Sequence, residues 1–174
     1  MGFQVIEQVV NAARRKLLVQ DHIPLYYPNL FITMEHSGRA LETTKKYLEH
    51  LAVLEEFLAF SSIDLVSQLE QRPHSQYLTD SELSRFVSDA GFSKETLAMK
   101  YAGSRLHPTA YKSVGKAHAQ QRIEAVRDYL AFLYDKLGDH STRYEAVDDL
   151  KKRINRKIKA ASPAWKKTRT DEME

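Results

Sequence analysis

The chain has 174 residues, 43% of them hydrophobic, with no cysteine and a formal net charge of +3 at pH 7. This length and composition predict a single hydrophobic core, and the lack of cysteine excludes disulfides, thiolate metal sites and a cysteine nucleophile. The first ten residues lack the basic start and apolar run of a signal peptide, and no apolar stretch reaches the ~20 residues that span a bilayer. We therefore expect a soluble, cytoplasmic protein without a membrane partner, associated with the nucleoid if the source is a prokaryote.

The first segment with a clear pattern runs from Lys16 to Ile32. Its apolar residues are interrupted by Asp21, Pro24 and Pro28. This pattern predicts a short strand, a turn and an extended segment, arranged as a small β-hairpin.

Three helices are predicted in the next part of the chain. From Glu42 to about Phe60, apolar residues recur at spacings of three and four, which indicates an amphipathic helix. A weaker helical turn lies between Ser62 and Leu69. Thr79 followed by Glu82 forms a capping box that starts a third helix, and Gly91 is expected to end that helix in a left-handed conformation.

The longest predicted helix follows a basic loop. Ser93 to Gly115 combines glycine, proline and basic residues, which indicates a loop with one helical turn. From Ala119 to Leu137 the apolar residues again recur at helical spacing, and Gly138 is expected to stop this helix.

The positive charge is concentrated near the C-terminus. Thr142 with Glu145 forms a second capping box, which opens a basic helix that ends no later than Pro163. Between Lys151 and Thr170 there are nine Lys or Arg and no acid, whereas residues 1–150 carry a net charge of −3. The narrow apolar seam of this helix consists of Val147, Leu150, Ile154 and Ile158.

The sequence contains no motif that supports catalysis. There is no Gly-x-Gly and no Gly-Lys-Ser/Thr, which excludes the common phosphate-binding loops, and no two histidines lie three or four apart as a metal-binding pair on a helix requires. His140 to Arg143 spells His-x-x-Arg, but phosphoryl chemistry also needs converging cations and a separate nucleophile. We read this tetrad as a helix cap. We expect no catalytic residue, no metal site, no cofactor and no small-molecule substrate.

Two helical segments are similar to a known family. Arg39 to Leu58 resembles the first core-binding helix of the tyrosine site-specific recombinases, the phage-integrase family, with Thr43 and Tyr47 at its Thr-x-x-x-Tyr element. Gln121 to Leu133 resembles the family's last core-binding helix, an arginine-led segment that ends in Tyr-x-x-Phe-Leu. The segment Lys16 to Phe31 is similar to what precedes this domain in some integrases.

The resemblance implies a mainly α fold, a small orthogonal four- to five-helix bundle of the SAM-like type with a short N-terminal β-hairpin. It divides the chain into an N-terminal extension (1–36), a core-binding domain (37–139), and a basic helix and linker (140–174). In this family the bundle clamps duplex DNA at a recombination site during integration or excision, and a separate domain cuts through a tyrosine. No catalytic residue of the family has a counterpart before Glu174, so we expect an amino-terminal piece or a shortened derivative of such an enzyme.

We therefore expect double-stranded DNA as the partner, and self-association of the full-length protein on DNA. The first family-like helix would contact phosphates, the long helix would reach base edges, and the basic tail would add a salt-sensitive term. Arg127 either also reaches base edges from the long helix or pairs with nearby acids. The candidate nucleic-acid-binding residues are Arg39, Thr43, Thr44, Lys45, Lys46, Lys112, Lys116, His118, Gln121, Arg122, Lys152 and Arg156.

An alternative function uses the same C-terminal helix differently. In this interpretation the chain is a helical protein-interaction module without DNA binding. The apolar seam would dock on another helix, and the basic residues would form its solvated back.

Overall fold

The structure is a computed structural model and describes residues 2–71, 78–105, 107, 110–138 and 143–165. Within these ranges the predicted mainly α fold is confirmed, and the strands form one small antiparallel sheet in the order β1-β2-β3. The elements are β1 (Phe3–Val10), β2 (Ala13–Gln20), β3 (Ile23–Pro24), α1 (Tyr26–Glu35), α2 (Leu41–Phe60), α3 (Leu65–Gln71), α4 (Asp80–Asp89), α5 (Lys94–Tyr101), α6 (Lys116–Leu137), α7 (Arg143–Ala161) and a 3-10 turn (Ser162–Ala164).

The N-terminal hairpin begins earlier than predicted. β1 and β2 pair along their whole length and are joined by the two-residue turn Asn11-Ala12. Both turn residues have positive φ (51° and 63°), which suits the type I′ turn that matches the twist of a hairpin. No residue of β1 is fully buried, so the sequence of this strand carries little of the alternation that would predict it.

The prediction of an extended segment after β2 is wrong, because Tyr26–Glu35 forms the helix α1. Pro28 is compatible with this helix since it stands in the first turn, where the backbone N–H has no intrahelical partner. The Asn29 side chain accepts a hydrogen bond from the backbone N–H of Leu18 (2.9 Å) and donates to the carbonyl oxygens of Leu18 (2.9 Å) and Leu25 (2.6 Å). These bonds hold α1 against β2.

The two long helices α2 and α6 form the centre of the core. Leu48 and Leu51 of α2 and Leu130 and Leu133 of α6 are at most 1% exposed. Buried side chains of β2, α1 and α7 belong to the same cluster. The segments expected as extension, domain and linker therefore share one core.

The apolar seam of α7 faces this core. α7 ends at Ala161, before Pro163, as the sequence predicts. The capping box predicted at Thr142, and the first three residues of the His-x-x-Arg tetrad, lie outside the described residues. The seam residues that are buried are Leu150, Ile154 and Ile158.

One predicted helix boundary holds and one predicted glycine role does not. The capping box is confirmed: the Thr79 N–H donates to Oε2 of Glu82 (2.7 Å), and the Glu82 N–H donates to Oγ1 of Thr79 (3.2 Å). Gly91, however, is not left-handed. A Cβ there would stand 3.1 Å from two atoms of the Trp165 indole. Gly91 therefore allows the tryptophan ring to approach the end of α4.

The basic loop after α4 contains more helix than predicted. α5 occupies eight residues of it and is capped by Ser93, whose Oγ accepts a hydrogen bond from the Thr96 N–H (3.2 Å). Only Thr96 and Leu97 are buried in α5. A helix with so short an apolar face leaves no clear periodicity in the sequence.

We expect Ala12→Gly to stabilise the protein. Alanine at a φ of 63° brings its Cβ close to the following carbonyl oxygen, and glycine removes this contact although it loses more conformational entropy on folding. The net gain in the free energy of unfolding should be about 0.5–1 kcal/mol, measured by urea denaturation. Ala13→Gly, at the first position of β2, is the matched control and should destabilise. A loss of stability in Ala12→Gly would contradict the turn geometry.

Candidate nucleic-acid interface

A groove of about 300 Å³ runs between α2 and α6. Thr43, Lys46 and Gln121, three of the predicted contacts, line it together although they come from different helices. On α2 the lining residues are three or four apart, which places them on one face. The polar and aromatic residues of this α2–α6 groove are Thr43, Lys46, Tyr47, His50, Gln121, Glu124, Arg127 and Asp128.

Two histidines and a further lysine lie close to one another at this groove. His118 is exposed, and its ring centroid is 5.2 Å from that of the buried His50. Burial, and then the neighbouring positive charges, lower the pKa of His50 to about 3 and hold the pKa of His118 below its usual value. Arg122, Lys94 and Lys46 are among those charges. Both imidazoles are therefore mainly neutral at pH 7, and the exposed positive charge here belongs to Lys46 and Lys94.

The carboxylates of the groove are already engaged. Gln120 donates to Oε1 of Glu124 (2.9 Å). Nε of Arg127 donates to Oδ1 of Asp128 (3.0 Å), and its Nη1 donates to Oδ1 of Asn155 on α7 (2.8 Å). Of the two roles predicted for Arg127, the structure has the one in which it pairs with a nearby acid.

The prediction that Arg122 binds nucleic acid is corrected, because this residue is not on the exposed face of α6. Its side chain is 1% exposed. Nη1 donates to the carbonyl oxygens of Ala90 (2.8 Å) and Phe92 (2.9 Å), and Nη2 lies 3.3 Å from Nε2 of His118. Burial lowers its pKa to about 10, so the guanidinium keeps its charge at pH 7. Arg122 holds backbone carbonyls at the end of α4 and does not face a ligand.

Thr44 is a second correction, and three predicted lysines lie outside the groove. Thr44 is 7% exposed and its N–H donates to the carbonyl oxygen of Ala40 (3.0 Å), so little of this residue is accessible to a phosphate. Lys45 and Lys116 are half-buried, and Lys112 is exposed. None of these three lines the groove.

Arg39 belongs to a different concave surface, a cleft of about 280 Å³ between β2 and the start of α2. Arg14, Arg15 and Lys16 line this β2–α2 cleft with it. Glu7 neutralises part of the charge through contacts with Lys16 (2.7 Å) and Arg14 (3.8 Å). The basic run of β2 is visible in the sequence, but its position beside α2 depends on the hairpin and was not predicted.

Lys152 and Arg156 lie on α7, away from both concave surfaces. Lys152 pairs with Asp148 (2.6 Å), and Arg156 is exposed. Arg153 pairs with Asp80 (3.0 Å), so part of the basic charge fastens α7 to α4. The apolar seam that would dock on another helix is covered by the chain's own core.

Two kinds of feature were not found in the part of the chain that the structure describes. No helix there is both long and apolar enough to cross a membrane. Three or more His, Asp or Glu side chains do not converge there in a way that could hold a metal ion.

Comparison with protein-family models, curated proteins and solved structures gave no match. What the protein binds must therefore be inferred from its own groove and cleft.

We expect Arg122→Ala to destabilise the fold. The substitution leaves two backbone carbonyls without their donor and opens a cavity, so the free energy of unfolding should fall by about 3–5 kcal/mol. Arg127→Ala, on the same helix but nearer the surface, is the matched control and should lose about 1 kcal/mol. Urea denaturation compares the two; a small and equal loss would argue against the structural role of Arg122.

The buried neutral His50 should make stability depend on pH. The unfolded chain binds the proton of this histidine near pH 6.5, whereas the folded chain binds it only near pH 3. The neutral His50 therefore contributes its full stability above pH 6.5, and this stability is lost as the pH falls. The slope is up to about 1.4 kcal/mol per pH unit. In urea denaturation below pH 6.5, His50→Gln should lose stability less steeply than the wild type. The exposed His22→Gln should keep the wild-type slope, and the same slope in His50→Gln would refute the assignment.

Proposed function

We propose that the chain binds double-stranded DNA as the core-binding domain of a tyrosine recombinase, with the helices forming a SAM-like orthogonal bundle. One observation carries this proposal. Thr43 and Lys46 belong to one family-like segment and Gln121 to the other, and all three line the α2–α6 groove. Two stretches that resemble the DNA-contacting helices of the family thus present their polar residues on one surface.

The residues of the groove suit the two kinds of contact that DNA offers. Lys46 is exposed and Lys94 stands close by, so both can neutralise phosphates, which position a protein without reading sequence. Gln121 is exposed, and a glutamine amide can make two hydrogen bonds to an adenine edge in the major groove. The Thr43 hydroxyl adds a donor for the backbone.

The β2–α2 cleft offers a second contact with the DNA backbone. Arg14, Arg15 and Arg39 supply positive charge there. No side chain caps the first N–H groups of α2, and the positive end of the helix dipole favours a phosphate at this position. Lys112, Lys116, Lys152 and Arg156 would add a non-specific electrostatic attraction.

In this proposal the chain holds DNA, and the breaking and rejoining of strands is carried out by a separate domain of the recombinase during integration or excision. We assign no catalytic residue to this chain. The full-length protein would self-associate on DNA, because recombination joins two sites. The interaction module remains the alternative, but its docking face is covered by the chain's own core.

We test the proposal by fluorescence anisotropy with the full chain and a labelled duplex. Binding should weaken at least about tenfold between about 50 and 200 mM salt, because neutralised phosphates release counterions. Lys46→Ala should weaken binding several-fold and lower the slope of log K against log salt by about 0.9. Gln121→Ala should weaken binding to only some sequences and leave the salt slope unchanged.

The matched control is Lys136→Ala, which removes the same charge from an exposed position at the other end of α6. It should bind DNA nearly as the wild type does. The proposal fails if the wild type does not bind duplex DNA at low salt, or if Lys46→Ala and Lys136→Ala have the same effect. Circular dichroism of each variant verifies that the fold is intact.

A further inference from the structure

A third concave surface is a pocket of about 290 Å³ where the starts of α1 and α3 meet α2 and α6. It shares no lining residue with the α2–α6 groove or the β2–α2 cleft. Its walls are mainly apolar and aromatic and include Leu58, Ile63, Leu133 and three tyrosines. No described lysine, arginine or histidine lines this pocket, which we call the Glu55 pocket after the carboxylate at its wall.

Among the described residues Glu55 has no counter-ion. Within the described residues no group donates a hydrogen bond to it or forms an ion pair with it. The titratable groups that line the pocket with it are Asp64 and the phenols of Tyr26, Tyr27 and Tyr129. Burial raises the pKa of Glu55 to about 7. A carboxylate held this way is stabilised by any cation that enters the pocket.

The tyrosines at the pocket provide a surface that attracts cations. Tyr26 is 70% exposed and meets Tyr27 edge to face, with the ring centroids 5.0 Å apart. A cation above such a ring is attracted by its quadrupole. The second acid, Asp64, already caps α3 by accepting a hydrogen bond from the Ser67 N–H (3.2 Å). Glu55 is therefore the carboxylate that remains for a ligand.

We propose that the Glu55 pocket binds an alkylammonium group on a short apolar stem. Glu55 is the counter-ion, Leu58 and Leu133 contact the stem, and Tyr26 lies against the cation at the mouth. A divalent metal ion does not fit, because it requires several oxygen ligands and Glu55 is one carboxylate among apolar walls. A free amine and a lysine side chain carry the same group.

The probe is n-butylammonium chloride, titrated into the full chain at pH 8 with the ionic strength held constant by NaCl. Two-dimensional ¹H–¹⁵N NMR should show saturable shifts of amides near residues 55–65. n-Butanol, which has the same stem without the charge, should bind at least about tenfold more weakly. Affinity should fall as the pH is lowered below 7, since the carboxylate becomes neutral.

Glu55→Gln should weaken butylammonium binding at least about tenfold, and Tyr26→Ala should weaken it several-fold. Both are expected to fold, because the first removes a half-buried charge and the second changes an exposed ring. Their NMR spectra verify this. Glu35→Gln, an exposed glutamate of α1, is the matched control and should bind as the wild type does. Shifts that do not saturate, equal binding of butanol, or undiminished binding in folded Glu55→Gln would each overturn the proposal.

Two further arms separate the possible sources of the ligand. Nα-acetyl-lysine methylamide carries the group on a peptide unit, and tighter binding of it than of butylammonium indicates a lysine side chain, whereas equal binding indicates a free amine. Either result requires the Glu55 pocket. Because this pocket shares no residue with the DNA-facing surfaces, its failure and the failure of DNA binding would be seen in different variants.

Discussion

Arg122 reaches from α6 to the end of α4, where its guanidinium donates hydrogen bonds to the carbonyl oxygens of Ala90 and Phe92. The last carbonyls of a helix have no intrahelical donors and carry the negative end of its dipole. A guanidinium there supplies hydrogen-bond donors and also balances the negative charge. Phe92 lies in the connection between α4 and α5, and the same bonds therefore help to fix the position of Lys94 beside the groove. Burying a charge is unfavourable in itself. The packing of α4 and α5 against α6 depends on how completely these bonds offset that penalty.

Helix α2 contributes side chains to three different environments. Its leucines fill the core, the face with Lys46 and His50 lines the α2–α6 groove, and Glu55, five residues after His50, lines a separate pocket. Burial favours the neutral form of both His50 and Glu55, although it lowers the pKa of the first and raises that of the second. At pH 7 His50 is therefore neutral, whereas Glu55 is divided between its neutral and its charged form.

Local signals in the sequence predicted the helices better than the contacts between them. The bounds of α2 and the capping box at Thr79 depend on neighbouring residues, and both hold. α1 and β1 were missed because their evidence is tertiary: Asn29 holds α1 against β2, and β1 has no fully buried side chain. Gly91 was misread because its partner, Trp165, is distant in sequence. Lys46 and Gln121 were each predicted, but their common groove was not visible. Arg122 could have been recognised as buried, since it stands four residues before Val126 and seven before Tyr129 on the apolar face.

The contact between Trp165 and Gly91 has a practical consequence. Trp165 is the one tryptophan of the sequence, and it follows directly after α7 and the 3-10 turn. Its indole lies against the end of α4, close to the carbonyls that Arg122 holds. Indole emission depends on how much water surrounds the ring. The protein thus carries an intrinsic optical reporter, whose wavelength records whether the C-terminal end of α7 is seated on α4.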